Sequence, residues 1–176
     1  MNEPGPKHLV RSADLAEAET IRVRHPLNPR SEIHMKRLSD PTGMTRVGVN
    51  LARIPPGRES FLPHSHAVFE EWVYVLEGRG RAQIGDEEHP IGPGDFLGFP
   101  TDGTPHHLIN DGEVDLVILQ GGERGRFDMG HFPTIGKHMF FHEGVAHFFP
   151  DAAIETMPLS AWQATDDAEK KSEGEG

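Results

Sequence analysis

From Thr45 to about Gln120 the chain alternates apolar and polar residues in short runs, interrupted at close intervals by glycine and proline. The runs Thr45–Ile54, Glu71–Glu77, Arg79–Ile84, Asp95–Phe99 and Val114–Gln120 carry the two-residue period of half-buried strands. Between them stand Pro55-Pro56-Gly57, Gly85-Asp86, Gly92-Pro93-Gly94, Asp102-Gly103 and Asp111-Gly112, residues that favour tight turns. Short strands at this spacing predict an all-β fold, a sandwich or barrel with antiparallel pairing. No internal repeat is visible, so a single barrel is expected. Within one run, Trp72, Tyr74 and Leu76 alternate with Val73, Val75 and Glu77, and one of these rows must face the interior.

The flanks read differently. Residues 1–44 are polar and proline-interrupted and predict an N-terminal arm, in which Thr20–Arg24 and Ile33–Leu38 are strand-like pieces able to extend a sheet edge. The only amphipathic helical stretch there is the short Ala13–Ala18, which excludes a three-helix DNA-binding domain ahead of the barrel. The barrel core is placed at 45–122 and a C-terminal extension at 123–164, packed on the barrel or at a dimer interface. In that extension Arg124–Pro133 reads as loop. The aromatic and histidine-rich segment Lys137–Phe149 reads either as a helix over the barrel opening or as a strand in a dimer seam. Its His138, His142 and His147 read as packing residues, with a lid carrying a general base as the sharper reading. Residues 165–176 form an acidic tail expected to be disordered.

Composition sharpens this picture. Glycine and proline make up about a fifth of the chain, which favours many turns over a helix bundle. Seventeen basic against 28 acidic residues give a net charge of −11, which disfavours nucleic acid and leaves a small anion possible only through a local arginine. Arg46, Arg53, Arg79 and Arg81 lie in strand-like runs and are the candidates for that role. The longest apolar run, Trp72–Leu76, is far too short to cross a bilayer, and the first residues lack the apolar core of a signal peptide, so no membrane contact is expected. Cysteine is absent, which excludes disulfides, thiolate-bound metals and thiol nucleophiles and fits a cytoplasmic protein. The abnormal count is histidine, at 12 residues, which directs attention to metal ligation.

Two segments concentrate that chemistry. The first runs from Gly57 through His64, Ser65, His66 and Glu71 to Gly78; the second runs from Gly94 through Pro100, Gly103 and His106 to Asn110. On an extended strand His64 and His66 project to the same face. Glu71 opens the next strand after a turn, and His106 lies on a strand that a barrel folds across from the pair. Three imidazole nitrogens and one carboxylate oxygen converging inside a barrel make a site for a divalent transition metal, with positions left open for a ligand. Glu70 competes with Glu71 for the carboxylate role. His107, adjacent to His106, faces the other way and reads as structural, and Asn110 as closing a turn with Asp111-Gly112.

These segments resemble the two signature motifs of the cupin superfamily: glycine, a spacer, His-x-His, three or four residues, glutamate, six residues and glycine, then glycine, five residues, Pro-x-Gly, two residues, histidine, three residues and asparagine. The chain departs by one extra residue in the spacer before His64 and one between Pro100 and Gly103, both at loop positions that tolerate insertion. The six-residue run to Gly78 favours Glu71 over Glu70. The resemblance implies a single cupin double-stranded β-helix, or jelly-roll barrel. It further implies a homodimer and a metal held by His64, His66, Glu71 and His106.

Function is less determined than fold. No Gly-x-Ser-x-Gly elbow, phosphate-binding Walker loop or His-Glu-x-x-His helix is present, which excludes serine hydrolases, nucleotide-driven chemistry and zincin-type proteolysis. The expectation is a metal-dependent enzyme on a small polar molecule, of isomerase, lyase or dioxygenase type, with Fe, Mn, Ni or Zn as the metal and the acid or base unassigned. The alternative is a non-catalytic module that binds or senses a sugar or organic acid.

Overall fold

The computed structural model describes residues 8–162. A single-turn-and-a-half helix, α1 (Ser12–Glu17), precedes two strands, β1 (Ile21–Val23) and β2 (Ile33–Arg37). The next strands are β3 (Val47–Ile54), β4 (Ser65–His66), β5 (Glu71–Glu77), β6 (Gly80–Ile84) and β7 (Glu87–Ile91). Then come β8 (Phe96–Phe99), β9 (His106–Ile109), β10 (Leu116–Glu123), β11 (Phe127–Phe132), β12 (Lys137–His142) and β13 (Val145–Pro150). All strand pairs are antiparallel.

Three sheets result. The largest has the order β1-β2-β3-β10-β5-β8, a three-stranded sheet the order β7-β6-β9, and a four-stranded sheet the order β13-β12-β11-β4. The first two face each other over a core of Ile33, Ala52, Ile54, Val73, Val75, Ala82, Ile91, Leu97, Phe99, Leu108, Leu116 and Ile118. Alternation on β5 settles which row is internal: Val73 and Val75 are buried, whereas Tyr74 and Leu76 lie on the outer surface. Glu71 shares the inward row with Val73, two residues away. This is the double-sheet barrel that closes most strand edges by wrapping.

Turn chemistry follows the glycines where a left-handed backbone is needed. Gly78 at φ 78° ends β5, and a Cβ there would sit 2.3 Å from the Asp115 carbonyl oxygen, so both conformation and space demand glycine. Asn110 closes its turn as expected: its side-chain oxygen accepts from the Gly112 N–H at 3.0 Å. The buried amide nitrogen also donates to the carbonyls of Ile54 and Val114, tying β3 to the start of β10.

The arm strands add to the edge of the large sheet through β2–β3 pairing. An ion cluster on the buried Glu32 ties β1 to β2 within the arm, with Arg22 at 2.7 Å, Arg24 at 2.9 Å and His34 at 2.7 Å. The downstream flank corrects one expectation and decides between two others. Arg124–Pro133 is not loop but contains β11, and Lys137–Phe149 is not a helix but the hairpin β12–β13. Runs such as Phe127–Phe132 with a glycine at 130 look weak in isolation. Pairing to β4 on one side and β12 on the other makes them strand. The acidic tail 165–176 lies outside the described residues.

Candidate metal centre

His64 and His106 are fixed across from each other by a reciprocal pair of backbone hydrogen bonds, His64 N to His106 O at 3.2 Å and His106 N to His64 O at 2.8 Å. His66 follows on β4, and Glu71 opens β5. One ligand atom from each of His64, His66, Glu71 and His106 lies within 4.8 Å of all the others. The Glu71 carboxylate stands 3.4 Å from the Nε2 atoms of both His66 and His106. Glu70, the competing residue, is exposed. The four histidine and glutamate positions read from the motifs are thus brought together in space.

Each imidazole is held in orientation by its surroundings. His64 Nδ1 donates to the Leu62 carbonyl at 2.7 Å, which leaves Nε2 with its lone pair. His66 Nδ1 is bound to the Asp128 carboxylate at 2.5 Å. The His106 ring lies flat against Phe99, centroids 3.8 Å apart and planes at 2°, and Phe132 stacks on His64 at 5.5 Å. Asp128 is 2 % exposed, and its second oxygen accepts from the Val68 N–H at 3.1 Å. It lies 62 residues from His66 on a segment that reads as loop in sequence, and no local signal marks it as part of the site.

The electrostatics of the cluster set burial against its carboxylates. Burial, and the neighbouring His66 and His106, push His64 down to about 4, so it is neutral with a free nitrogen at ordinary pH. For His66, burial alone would lower the value, but the Asp128 and Glu71 carboxylates outweigh it and raise it to about 9. Burial likewise opposes ionisation of Glu71, yet the His106 hydrogen bond and the nearby His66 imidazole hold its carboxyl well below the usual range. His66 Nε2 is buried without a hydrogen-bond partner among the described residues, despite its nearness to Glu71. An imidazole aimed at a carboxylate it does not bond, beside two more imidazoles, is a donor set that fits a borderline divalent cation. The cluster opens on the Glu71 side, whose side chain is 41 % exposed while that of His106 is 7 % exposed.

Above it lies a cavity of about 220 Å³. The inner row of the large sheet shapes it. Asn50 and Gln120 are cross-strand neighbours on β3 and β10, and Gly48 and Gly122 follow one step further along the same face. A Cβ on Gly122 would sit 3.0 Å from Glu71 Cγ, so glycine is what lets the glutamate reach inward. At the rim, Arg124 folds over Gly48 and pairs with Asp40 at 2.6 Å. The arginines singled out in the strands do not enter the cavity: Arg53 pairs with Asp115, and Arg81 with Asp111 and Glu88, all at the surface. Arg124 was missed because it follows the last strand-like run. His107 turns away from the cluster, as alternation requires, and is buried 3.5 Å from Glu59 under the arm. His138 also points away, opposite His131 on the outer face of β11 and β12.

Comparison with known proteins places this geometry. The Cupin domain family model matches residues 50–120. Protein SchB of Streptomyces halstedii is 34 % identical over 113 residues, covering 62 % of this chain and 80 % of that protein. A solved candidate sugar phosphate isomerase from Acidithiobacillus ferrooxidans is 34 % identical with a TM-score of 0.83, over 86 % of this chain and 97 % of the other. A solved sugar phosphate isomerase of the cupin superfamily from Silicibacter pomeroyi is 27 % identical with a TM-score of 0.71, over 83 % and 96 % of the two chains. Both motifs, the wrapped double sheet and the matching family model lead to one assignment: the chain belongs to the cupin superfamily.

Proposed function

We propose that the protein is a divalent-metal-dependent isomerase acting on a small phosphorylated sugar, with the metal held by His64, His66, Glu71 and His106. The observation that carries the reading is the convergence of these four side chains, three of them (His64, Glu71 and His106) lining a cavity whose remaining wall mixes apolar residues with Asn50, Gln120 and Arg124. The likeness along nearly the full length of the Acidithiobacillus protein supports sugar phosphates over the lyase and dioxygenase classes. A bound divalent cation would supply Lewis acidity to a substrate carbonyl or hydroxyl oxygen.

The chain's own residues then have distinct tasks. The Arg124 guanidinium, able to exchange Asp40 for another anion, holds the phosphate at the rim. The amides of Asn50 and Gln120 bind sugar hydroxyls. The reading carries a homodimer joined through the exposed row Tyr74, Leu76 and Phe96, and sedimentation at monomer mass would remove that element.

The experiment is solvent exchange. Aldose and ketose phosphates from trioses to hexoses are incubated with protein and divalent metals in D₂O and followed by NMR. Metal-dependent deuterium incorporation beside the carbonyl, with interconversion of the sugars, is expected, and Glu71→Ala and His66→Ala abolish it. No exchange with any metal overturns the proposal, and saturable binding without exchange transfers the site to a binding or sensing role. Oxygen uptake with Fe(II) would overturn it in favour of a dioxygenase.

A further inference from the structure

The geometry points to a second metal site, outside the barrel, in which His131, His138 and Asp151 take a borderline divalent cation such as Zn(II) or Co(II). It goes beyond the proposed isomerase and does not depend on it. The three ligands come from three successive segments. His131 on β11 and His138 on β12 are direct cross-strand partners, and Asp151 is the first residue after β13. Asp151 is set in place by its own backbone, whose N–H donates to the Gly136 carbonyl at 3.0 Å.

The carboxylate stands between the two rings. Its Oδ2 lies 3.3 Å from His131 Nε2 and its Oδ1 lies 2.9 Å from His138 Nδ1, while the imidazoles stack with centroids 4.3 Å apart. One ligand atom from each residue lies within 4.8 Å of the other two. In a tetrahedral site with bonds of about 2.0–2.1 Å, neighbouring donors are about 3.4 Å apart, so only small rotations bring the three onto one ion. Burial opposes ionisation of Asp151, but bonds from His138 and His131 outweigh it and hold the carboxyl below its usual range. The side chains are 34 %, 28 % and 43 % exposed, so an ion and the waters completing its shell have access.

Position gives the site a consequence. His131 pairs with Ser65 in the ladder, next to the Gly130–His66 pair, and alternation sends His131 outward where His66 points inward. The two clusters therefore sit back to back on β4 and β11. An ion at the outer one cross-links β11, β12 and the end of β13, the sheet that carries Asp128 and Phe132 on its inner face.

The full-length protein is stripped with a chelator and titrated with Zn(II), with bound metal measured after gel filtration. His138→Ala and Asp151→Asn are each expected to bind about one equivalent less than wild type, and His66→Ala to keep the outer equivalent. Because the first comparison is a difference, it stands or falls whatever the inner cluster binds. Variants that bind as much zinc as wild type overturn the inference. A second measurement needs no variant of this site. Substoichiometric Co(II) added to His66→Ala protein shifts or broadens the His131 and His138 ring protons in the NMR spectrum, and unchanged resonances overturn it.

Discussion

Asp128 gives the sharpest test of the inner cluster, because it reaches the site only through His66. Its two oxygens are committed, one to His66 Nδ1 at 2.5 Å and the other to the Val68 N–H at 3.1 Å, and the residue is 2 % exposed. Asp128→Asn keeps the shape and removes the symmetry of the acceptors. With the amide oxygen left on Val68, the amide nitrogen donates to His66 Nδ1, which must then accept. The ring proton moves to Nε2, the atom that faces Glu71. Turned the other way, the amide sets its N–H against the N–H of Val68. In either arrangement a ligand nitrogen or the Val68 N–H bond is lost. Removal of a partner that orients a metal-bound histidine costs ten- to hundredfold in affinity, or about 1.4–2.8 kcal/mol. Competition titration of Mn(II) or Zn(II) against a chelating dye, in a background that removes the outer site through His138→Ala, reads this directly. The apo variant's far-UV spectrum and two-state melting serve as the control for folding. An affinity within twofold of the parent, in a folded variant, would refute both the orienting role of Asp128 and the place of His66 among the ligands.

Three further outcomes are expected. Stripping the metal with a chelator should lower the thermal midpoint by about 5–10 °C, since an ion at a hundred times its Kd contributes about 2.7 kcal/mol and a domain of this size shifts about 2–4 °C per kcal/mol; a midpoint indifferent to metal under calorimetry contradicts a folded-state site. Gly122→Ala places a methyl 3.0 Å from Glu71 Cγ and from the Glu70 carbonyl oxygen, and should weaken metal binding more than tenfold while overpacking costs about 1–3 kcal/mol; unchanged binding by the same dye assay shows that Glu71 is not a ligand. Glu32, held well below its usual 4.5 by Arg22, His34 and Arg24, contributes stability that is complete above that value and is lost as the carboxylate protonates at lower pH. Glu32→Gln should therefore melt below wild type at neutral pH and converge with it as the pH falls beneath 4.5, and a gap independent of pH in thermal melts would show that the ion cluster does not tie β1 to β2 within the arm.

The inner half of this site was legible because its determinants are local. His64 and His66 share a strand face by their spacing alone, and the alternation that carries Val73 and Val75 into the core carries Glu71 with them. Turn residues such as Gly78 and Asn110 announce themselves by composition, because few other residues satisfy their backbone and hydrogen-bonding demands. What joins His106 to the pair is a ladder contact between residues 42 positions apart, His64 and His106. Only the motif resemblance made that contact expected, since no local pattern encodes it.

The outer half was not legible, for a reason that the same strands make plain. β11 has little strand character of its own: Gly130 lies in its middle, Pro133 follows it, and Asp128 occupies an inward position that ordinarily takes an apolar residue. Its conformation is imposed by two neighbours, β4 from far upstream and β12 from just downstream. The upstream neighbour, β4 with the residues just after it, gives the buried aspartate its two hydrogen bonds and turns a polar residue in the interior from a penalty into a means of aiming His66. A residue whose value depends on a donor 62 positions away reads in sequence as loop polarity. The same dependence makes its substitution informative once the folding control has accounted for the Val68 bond, because the other Asp128 oxygen serves His66 alone.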